Sequence, residues 1–282
     1  MVTKIPNSYS YKYNYVKTQG DSIKILAIGH SQIYDGFDPI VFGNVAFNMG
    51  NSSQEFVDDY YILKELLDDM PNLKVVIMPL GYSDVSSSGT MEKISERGTY
   101  YHEYMSIDYD GQLPFKYRFE CINIPKAFRK IFDYYVRHKD IVGCDSLGRR
   151  NMYKLEDRTW NLEDNKVIYK YYNLNGNSDF VLRGEAYLIR IIDLLKERHI
   201  IPLLVSTPYY SDSKKDINQS QQLFINTYIS SFVRKKKVLY MNYQYSPLFS
   251  DRDFYDEAHL SEYGAYKFSL LIKSNLKSLL NF

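Results

Sequence analysis

Short apolar runs at 23–28, 45–48, 74–80, 200–206 and 238–241 alternate along this chain with stretches of helical periodicity. That alternation points to βαβ units, because parallel strands need long crossovers and the crossovers lay helices on both faces of the sheet. The expected fold class is α/β, three layers in the order α/β/α around a mostly parallel sheet of five strands. Between the second and third runs, residues 52–55 read Ser-Ser-Gln-Glu, a capping box ahead of Phe56, Tyr60, Leu63, Leu67 and Met70 at helical spacing. The stretch 184–198 carries Leu188, Ile191, Ile192 and Leu195 on one face. Ser261 opens a last helix with a stripe of Ala265, Phe268, Ile272, Leu276 and Leu279.

From 85 to 180 the alternation is lost, and the text is dense in Tyr, Arg and Asp with one helix expected near 125–138. A structureless loop of that length is improbable in a compact domain. The chain, 1–282, is therefore expected to be one domain with a cap-like insertion at 85–180 beside the site. The tyrosine content, 29 residues, has no compositional explanation.

With 282 residues, 45% hydrophobic and 24% charged, the chain can bury a sizeable core. Lys+Arg 35 against Asp+Glu 34 leaves no field to concentrate nucleic acid or an anionic surface, and Arg234-Lys235-Lys236-Lys237 reads as a solvated helix end. Cys121 and Cys144 lack metal-ligand spacing and read as reduced thiols. His102, His138 and His199 show no ligand pairing, and no glycine-rich phosphate loop occurs, so no cofactor or metal is expected. Residues 1–15 are polar without an apolar leader segment, and nothing approaches the ~18 apolar residues of a membrane span. The expected location is cytoplasmic, with no membrane insertion.

Two fragments carry chemistry. The first apolar run stops at Gly29-His30-Ser31, and near the end the chain reads Asp256-Glu257-Ala258-His259. A serine hydroxyl becomes a nucleophile when a base takes its proton, and histidine does this best when a carboxylate fixes its tautomer. Ser31, His259 and Asp256 supply those roles. Both fragments should lie at the carboxyl edge of the sheet, where ligands bind in open α/β folds. The turn 48–53 and the segment Gly81-Tyr82-Ser83-Asp84 end at the same edge and offer oxyanion donors. His30 is an alternative base or a brace for the turn. Arg149, Arg150, Arg158, Trp160 and the tyrosines of the insertion could line a sugar or anion site, or form an ordinary amphipathic surface.

These blocks resemble the SGNH hydrolases, the GDSL-like esterase superfamily. Gly29-His30-Ser31 matches the first block, Gly-Asp-Ser, and Asp256 to His259 the last. Ser53 stands where the second block has glycine, and Ser83 where the third has its oxyanion asparagine. The wording is most similar to SGNH-like proteins encoded among bacterial surface-polysaccharide genes, over 7–15, 25–38, 47–54 and 254–269. The resemblance implies a flavodoxin-like fold. It also implies a catalytic triad of Ser31, His259 and Asp256, and an oxyanion hole from the amides of Ser31 and Ser53 with Ser83 or Asn51. The substrate it implies is a small molecule or polysaccharide bearing O-acyl groups. Three readings stay open: an esterase removing O-acyl groups, foremost acetyl, from a carbohydrate; an O-acyltransferase acting on a surface polysaccharide or its precursor; and an inactive carbohydrate-binding or assembly protein on the same fold.

Overall fold

The computed structural model of the chain describes residues 4–86, 97–111, 124–139, 141–162, 181–182, 184–210 and 218–280. Its helices and strands are α1 (Ser8–Gln19), β1 (Ile25–Ala27), α2 (Ser31–Gly36), β2 (Ala46–Asn48), α3 (Phe56–Leu66), β3 (Val75–Pro79), β4 (Val85–Ser86), α4 (Gly98–Met105), α5 (Ile124–Tyr135), β5 (Val181–Leu182), α6 (Glu185–Glu197), β6 (Ile201–Ser206), α7 (Gln219–Lys236), β7 (Leu239–Asn242) and α8 (Glu262–Leu280). Five strands pair in parallel in the order β2-β1-β3-β6-β7, and β4 pairs with β5 in a separate antiparallel ribbon. That order, with its reversal between β1 and β3, is the flavodoxin-like arrangement, and it places a crevice at the carboxyl ends of those two strands.

The two faces of the sheet follow the period of two along each strand. Leu26, Val76, Met78 and Leu204 join Leu63, Leu66, Leu188, Ile192, Ile225 and Phe232 from α3, α6 and α7 in one core. Ile25, Ala27, Val75, Ile77, Leu203 and Val205 join Ile33 and Phe37 of α2 and Phe268, Ile272 and Leu276 of α8 in the other. β1, β2, β3 and β6 are buried on both sides and read as unbroken apolar runs, which is why they were legible; β7, at the edge, is only partly buried. Arg234, Lys235 and Lys236 close α7, as the basic run suggested.

Two features depart from the sequence reading. Helix α3 begins at Phe56, and its capping box is Glu55 with Asp58, whose carboxylate accepts the Glu55 amide at 3.0 Å; the Ser52-to-Glu55 box does not form. Ser52 instead receives a hydrogen bond from Arg150 on its hydroxyl. Helix α1, which the polar N-terminal text did not suggest, is capped by Asn7, whose side chain accepts the amides of Tyr9 and Ser10 at 3.0 Å each. It buries Tyr9, Lys12 and Val16, and Lys12 breaks the apolar stripe that would have announced the helix.

The tyrosines form a layer outside α3. Tyr9 of α1 packs on Tyr100 and Tyr101 of α4, and Tyr61 on Tyr109 and Tyr187. Their hydroxyls find acceptors: Tyr101 donates to Gln54 at 2.7 Å, Tyr109 to Asp58 at 2.8 Å and Tyr61 to Asp110 at 2.7 Å. Phenol rings suit a core that must also satisfy the buried carboxylate of Asp58.

The segment 143–150 docks on the end of β2, where the Asn48 amide donates to the Leu147 carbonyl at 2.9 Å. Gly148 makes this approach possible: its φ is +87°, and a Cβ there would meet the Asn48 carbonyl oxygen at 2.2 Å. Gly148→Ala should therefore cost about 2–4 kcal/mol, from left-handed backbone plus overpacking. Chemical denaturation checks this, and an unchanged midpoint would show that the segment contributes nothing to the sheet edge.

Candidate active site

At the end of β1 the chain turns on Gly29, whose φ of +133° and contact with Pro79 leave no room for a side chain; an added Cβ would lie 2.4 Å from Pro79 Cδ. His30 then caps α2, its Nδ1 accepting the Gln32 amide at 3.3 Å. With Nδ1 accepting, the ring proton sits on Nε2, which donates to Asp84 Oδ1 at 3.2 Å. Asp84 Oδ2 accepts the Gly81 amide at 2.7 Å. His30 thus ties the end of β1 to the end of β3, a bracing position.

Ser31 is the first residue of α2, and its Oγ lies 2.8 Å from His259 Nε2 across 228 positions of sequence. His259 is held by the loop 254–260, which folds on itself through the Phe254–Leu260 bridge and the Tyr255 amide to the His259 carbonyl at 2.9 Å. Both oxygens of Asp256 lie 2.9 Å from His259 Nδ1, and Oδ1 also accepts the backbone amides of Ala258 and His259 at 2.9 and 2.8 Å. This fixes the tautomer with the proton on Nδ1 and leaves Nε2 as the acceptor facing the serine. Burial pushes Asp256 up, but the His259 ring and these amides outweigh it and hold the carboxyl below its ordinary range. Burial pushes the His259 imidazole down, and the Asp256 charge and hydrogen bond, with Asp35 beyond them, more than reverse that; the net is a raised pKa, opposed by Arg150.

Two groups beside this array had no sequence signal. Asp35 lies one turn along α2 from Ser31, fully buried, 3.0 Å from Arg150 Nε. Burial pushes its carboxyl up to about 6, against the pull of Arg150 and His259. Lys12 of α1 is also fully buried; its Nζ donates to the Gly50 carbonyl and lies 4.0 Å over the Tyr34 ring, and burial pushes it down to about 7. The Arg150 guanidinium stacks between Tyr34 and Tyr153, 4.7 and 4.8 Å from their centroids. Tyr153 in turn sets its ring edge-on to His259 at 5.4 Å and stacks on Tyr255 at 4.3 Å, with Trp160 edge-on to Tyr255 at 5.1 Å. Of the other arginines named from sequence, Arg149 faces Asp38 at 3.8 Å, and Arg158 donates to the carbonyls of Asp251 and Phe254 at 3.1 and 2.9 Å. Both are structural ties.

The oxyanion candidates fall differently. Ser53 adopts a φ of +55°, the left-handed region in which glycine is at ease. Asn51 donates its amide to the Gly29 carbonyl at 3.0 Å and accepts from Ser8 on Oδ1 at 3.2 Å, while its Nδ2 is buried without an acceptor. The Ser83 hydroxyl donates to Gln32 Oε1 at 3.1 Å, and Gln32 Nε2 donates to the Ala258 carbonyl at 3.3 Å. Ser83 therefore braces the loop of His259 through Gln32. Cys144 is buried and Cys121 lies outside the described residues. Among the described residues no group of three or more His, Cys, Asp or Glu side chains could hold a metal ion.

No family model matches the sequence, and no curated protein matches it. Among solved structures the chain is similar to a GDSL-like lipase from Bacteroides thetaiotaomicron, at 11% identity and a TM-score of 0.45 over 96% of this chain and 100% of that one. It is also similar to a mutant of an acetyl-xylooligosaccharide esterase from Geobacillus, at 11% identity and a TM-score of 0.40 over 92% of this chain and 94% of that one.

Proposed function

We propose that the protein is a serine esterase that removes O-acyl groups from a carbohydrate through Ser31, His259 and Asp256. The observation that carries this reading is the continuous hydrogen-bonded array from Ser31 Oγ through His259 to Asp256, at 2.8 and 2.9 Å. In the proposed step Ser31 Oγ bonds to the ester carbonyl carbon as its proton passes to His259 Nε2. Asp256 stabilises the imidazolium. The proton then goes to the departing sugar oxygen as the C–O bond breaks, and water, activated by the same histidine, releases the acyl group.

The amide of Ser31, first in its helix, has no intrahelical acceptor, and the amide of Ser53 and Asn51 Nδ2 lie on the neighbouring turn. We assign the oxyanion to these three donors, with Asn51 in preference to Ser83 because the Ser83 proton is engaged with Gln32. Each well-placed donor contributes roughly 3 kcal/mol to the transition state. Support for a sugar comes from the rings of Tyr255 and Trp160 near His259, since flat rings match the apolar faces of pyranoses, while Tyr153 is covered by Tyr255 and Arg150 and holds them in place.

Incubation with a fluorophosphonate should add one adduct to the intact mass of the chain, absent from Ser31→Ala, and the same variant should lose hydrolysis of a short-chain aryl ester by on the order of 10⁴-fold or more. Absence of an adduct on the unaltered chain, under conditions that label a control esterase, would return the fold to a binding role.

The pH dependence has a definite sign. His259 accepts the proton only when neutral, so kcat/KM should fall on the acid side around a pKa above the ordinary histidine value of about 6.5. Arg150→Met removes a positive charge that opposes protonation of His259, so its acid limb should move to higher pH. Activity should drop more at pH 6–7 than at pH 8–9, whereas Arg150→Lys should restore the limb. A uniform loss at every pH would show that Arg150 acts by packing alone.

A further inference from the structure

Helix α5 leaves a stripe of large apolar side chains in solvent. Phe128, Phe132 and Tyr135 fall at i, i+4 and i+7, on one stripe, yet they are 68%, 48% and 45% exposed. Val136, 59% exposed, extends the stripe beyond the helix end. The side toward the body is mixed, with Ala127, Lys130, Ile131 and Tyr134 half-buried. Lys130 lies about 160° around the helix from both phenylalanines. It donates to the Tyr104 hydroxyl of α4 at 3.4 Å and sits 5.5 Å over that ring.

The chain as a whole is near neutral and has no long-range field, but the charge on this element is locally one-sided. Residues 124–139 hold Lys126, Arg129, Lys130, Arg137 and Lys139 against the single acid Asp133. Asp133 is shared by three cations, Arg137 at 3.1 Å, Lys139 at 3.5 Å and Arg129 at 4.0 Å, so one carboxylate offsets only one of their charges. The side chains of Arg129, Arg137 and Lys139 are 83%, 53% and 53% exposed. The Arg137 guanidinium lies 5.0 Å over the Phe132 ring, so cation and apolar surface alternate along the exposed side.

We propose that α5 docks the protein on an anionic lipid surface, with Phe128, Phe132 and Tyr135 at the boundary of headgroups and acyl chains and Arg129, Arg137 and Lys139 against the phosphates. An exposed apolar stripe flanked by cations is what an interfacial helix needs, the first for burial and the second for attraction to anionic headgroups. A second copy of the chain fits less well, because it would set one excess of positive charge against another. At 12 residues α5 is too short to span a bilayer and would lie in its plane. Among the described residues no helix is long and apolar enough to cross a membrane. Docking at α5 does not depend on the chemistry at Ser31.

The test is co-sedimentation of the full chain with vesicles of phosphatidylcholine alone and of phosphatidylcholine mixed with phosphatidylglycerol. The chain should sediment with the anionic vesicles, more at low salt than at high, and little with the neutral ones. The double variant Phe128→Gln/Phe132→Gln should weaken binding at least about tenfold, and Arg129→Gln and Arg137→Gln roughly fivefold each. These side chains are exposed, so circular dichroism melts of the variants should match the unaltered chain. Failure of the unaltered, folded monomer to bind would overturn the proposal and leave the stripe to a protein partner. Binding that neither kind of variant changes would place docking elsewhere. A dimer in sedimentation velocity that Phe128→Gln/Phe132→Gln dissociates would assign the stripe to a second copy.

Discussion

Parallel pairing obliges every strand of this sheet to end on the same edge, and the position of the candidate site follows from that constraint. β1 delivers Gly29 to Ser31 there, β2 delivers the turn 48–53, and β3 delivers Gly81 to Asp84. The order β2-β1-β3 sets these three ends side by side, with α2 leaving toward one face and α3 toward the other. The loop of His259 follows β7, the far strand, and is held beside α2 because Leu260 at its end and Phe268 of the following helix α8 pack against Gly36. Groups separated by most of the chain meet because the sheet leaves them no other edge.

Buried charge is the cost of this convergence. Raising Asp35 from 3.8 to about 6 corresponds to roughly 3 kcal/mol withheld from stability while the carboxylate is ionised, a cost relieved as pH falls through 6 toward the unfolded value. Lys12, shifted to about 7, carries a comparable penalty. Neither stands alone. Arg150 faces Asp35, reaches Ser52 and stacks on Tyr34; Lys12 also lies over Tyr34 and holds the Gly50 carbonyl. The turn of the oxyanion candidates is thereby held by two cations, at Gly50 and at Ser52, whose field favours negative charge nearby. Removing one member would leave the others uncompensated in a dry place, which is more damaging than never having built the set.

The elements that could be read from sequence were those whose burial is uniform. Strands covered on both faces and the stripes of α3, α6 and α8 repeat one physical condition over many residues, and a single polar position does not hide them. Helix α1 was hidden because the middle of its buried stripe is a lysine and its neighbours are tyrosines, which are ambiguous between core and surface. The start of α3 shifted because a contact from residue 150 took the Ser52 hydroxyl, and nothing local announces a partner 98 positions away. The pairing of Asp35 with Arg150 was opaque for the same reason. In one dimension each is an ordinary surface residue, and only the docking of 143–150 on β2, through a glycine at positive φ, buries them together. Ser31 and the pair Asp256 and His259 were legible as residue types in the right order, whereas their meeting is a property of the assembled sheet.

The alignment of Ser31 with His259 does not depend on the hydrogen bond between them. Gly29 is fixed against Pro79, its carbonyl accepts from Asn51, and His30 is tied to Asp84, so the backbone that presents the serine is held by both neighbouring strand ends. On the other side, Gln32 links the Ser83 hydroxyl to the Ala258 carbonyl, joining the serine's helix to the histidine's loop one residue from Ser31 and one from His259. Asp256 holds the imidazole through both oxygens and two backbone amides. A bond supported in this way can be given up when a proton moves across it without the two groups drifting apart. That is the condition a nucleophile and its base must meet, since their contact is broken and remade in each cycle while their positions must hold to a few tenths of an ångström.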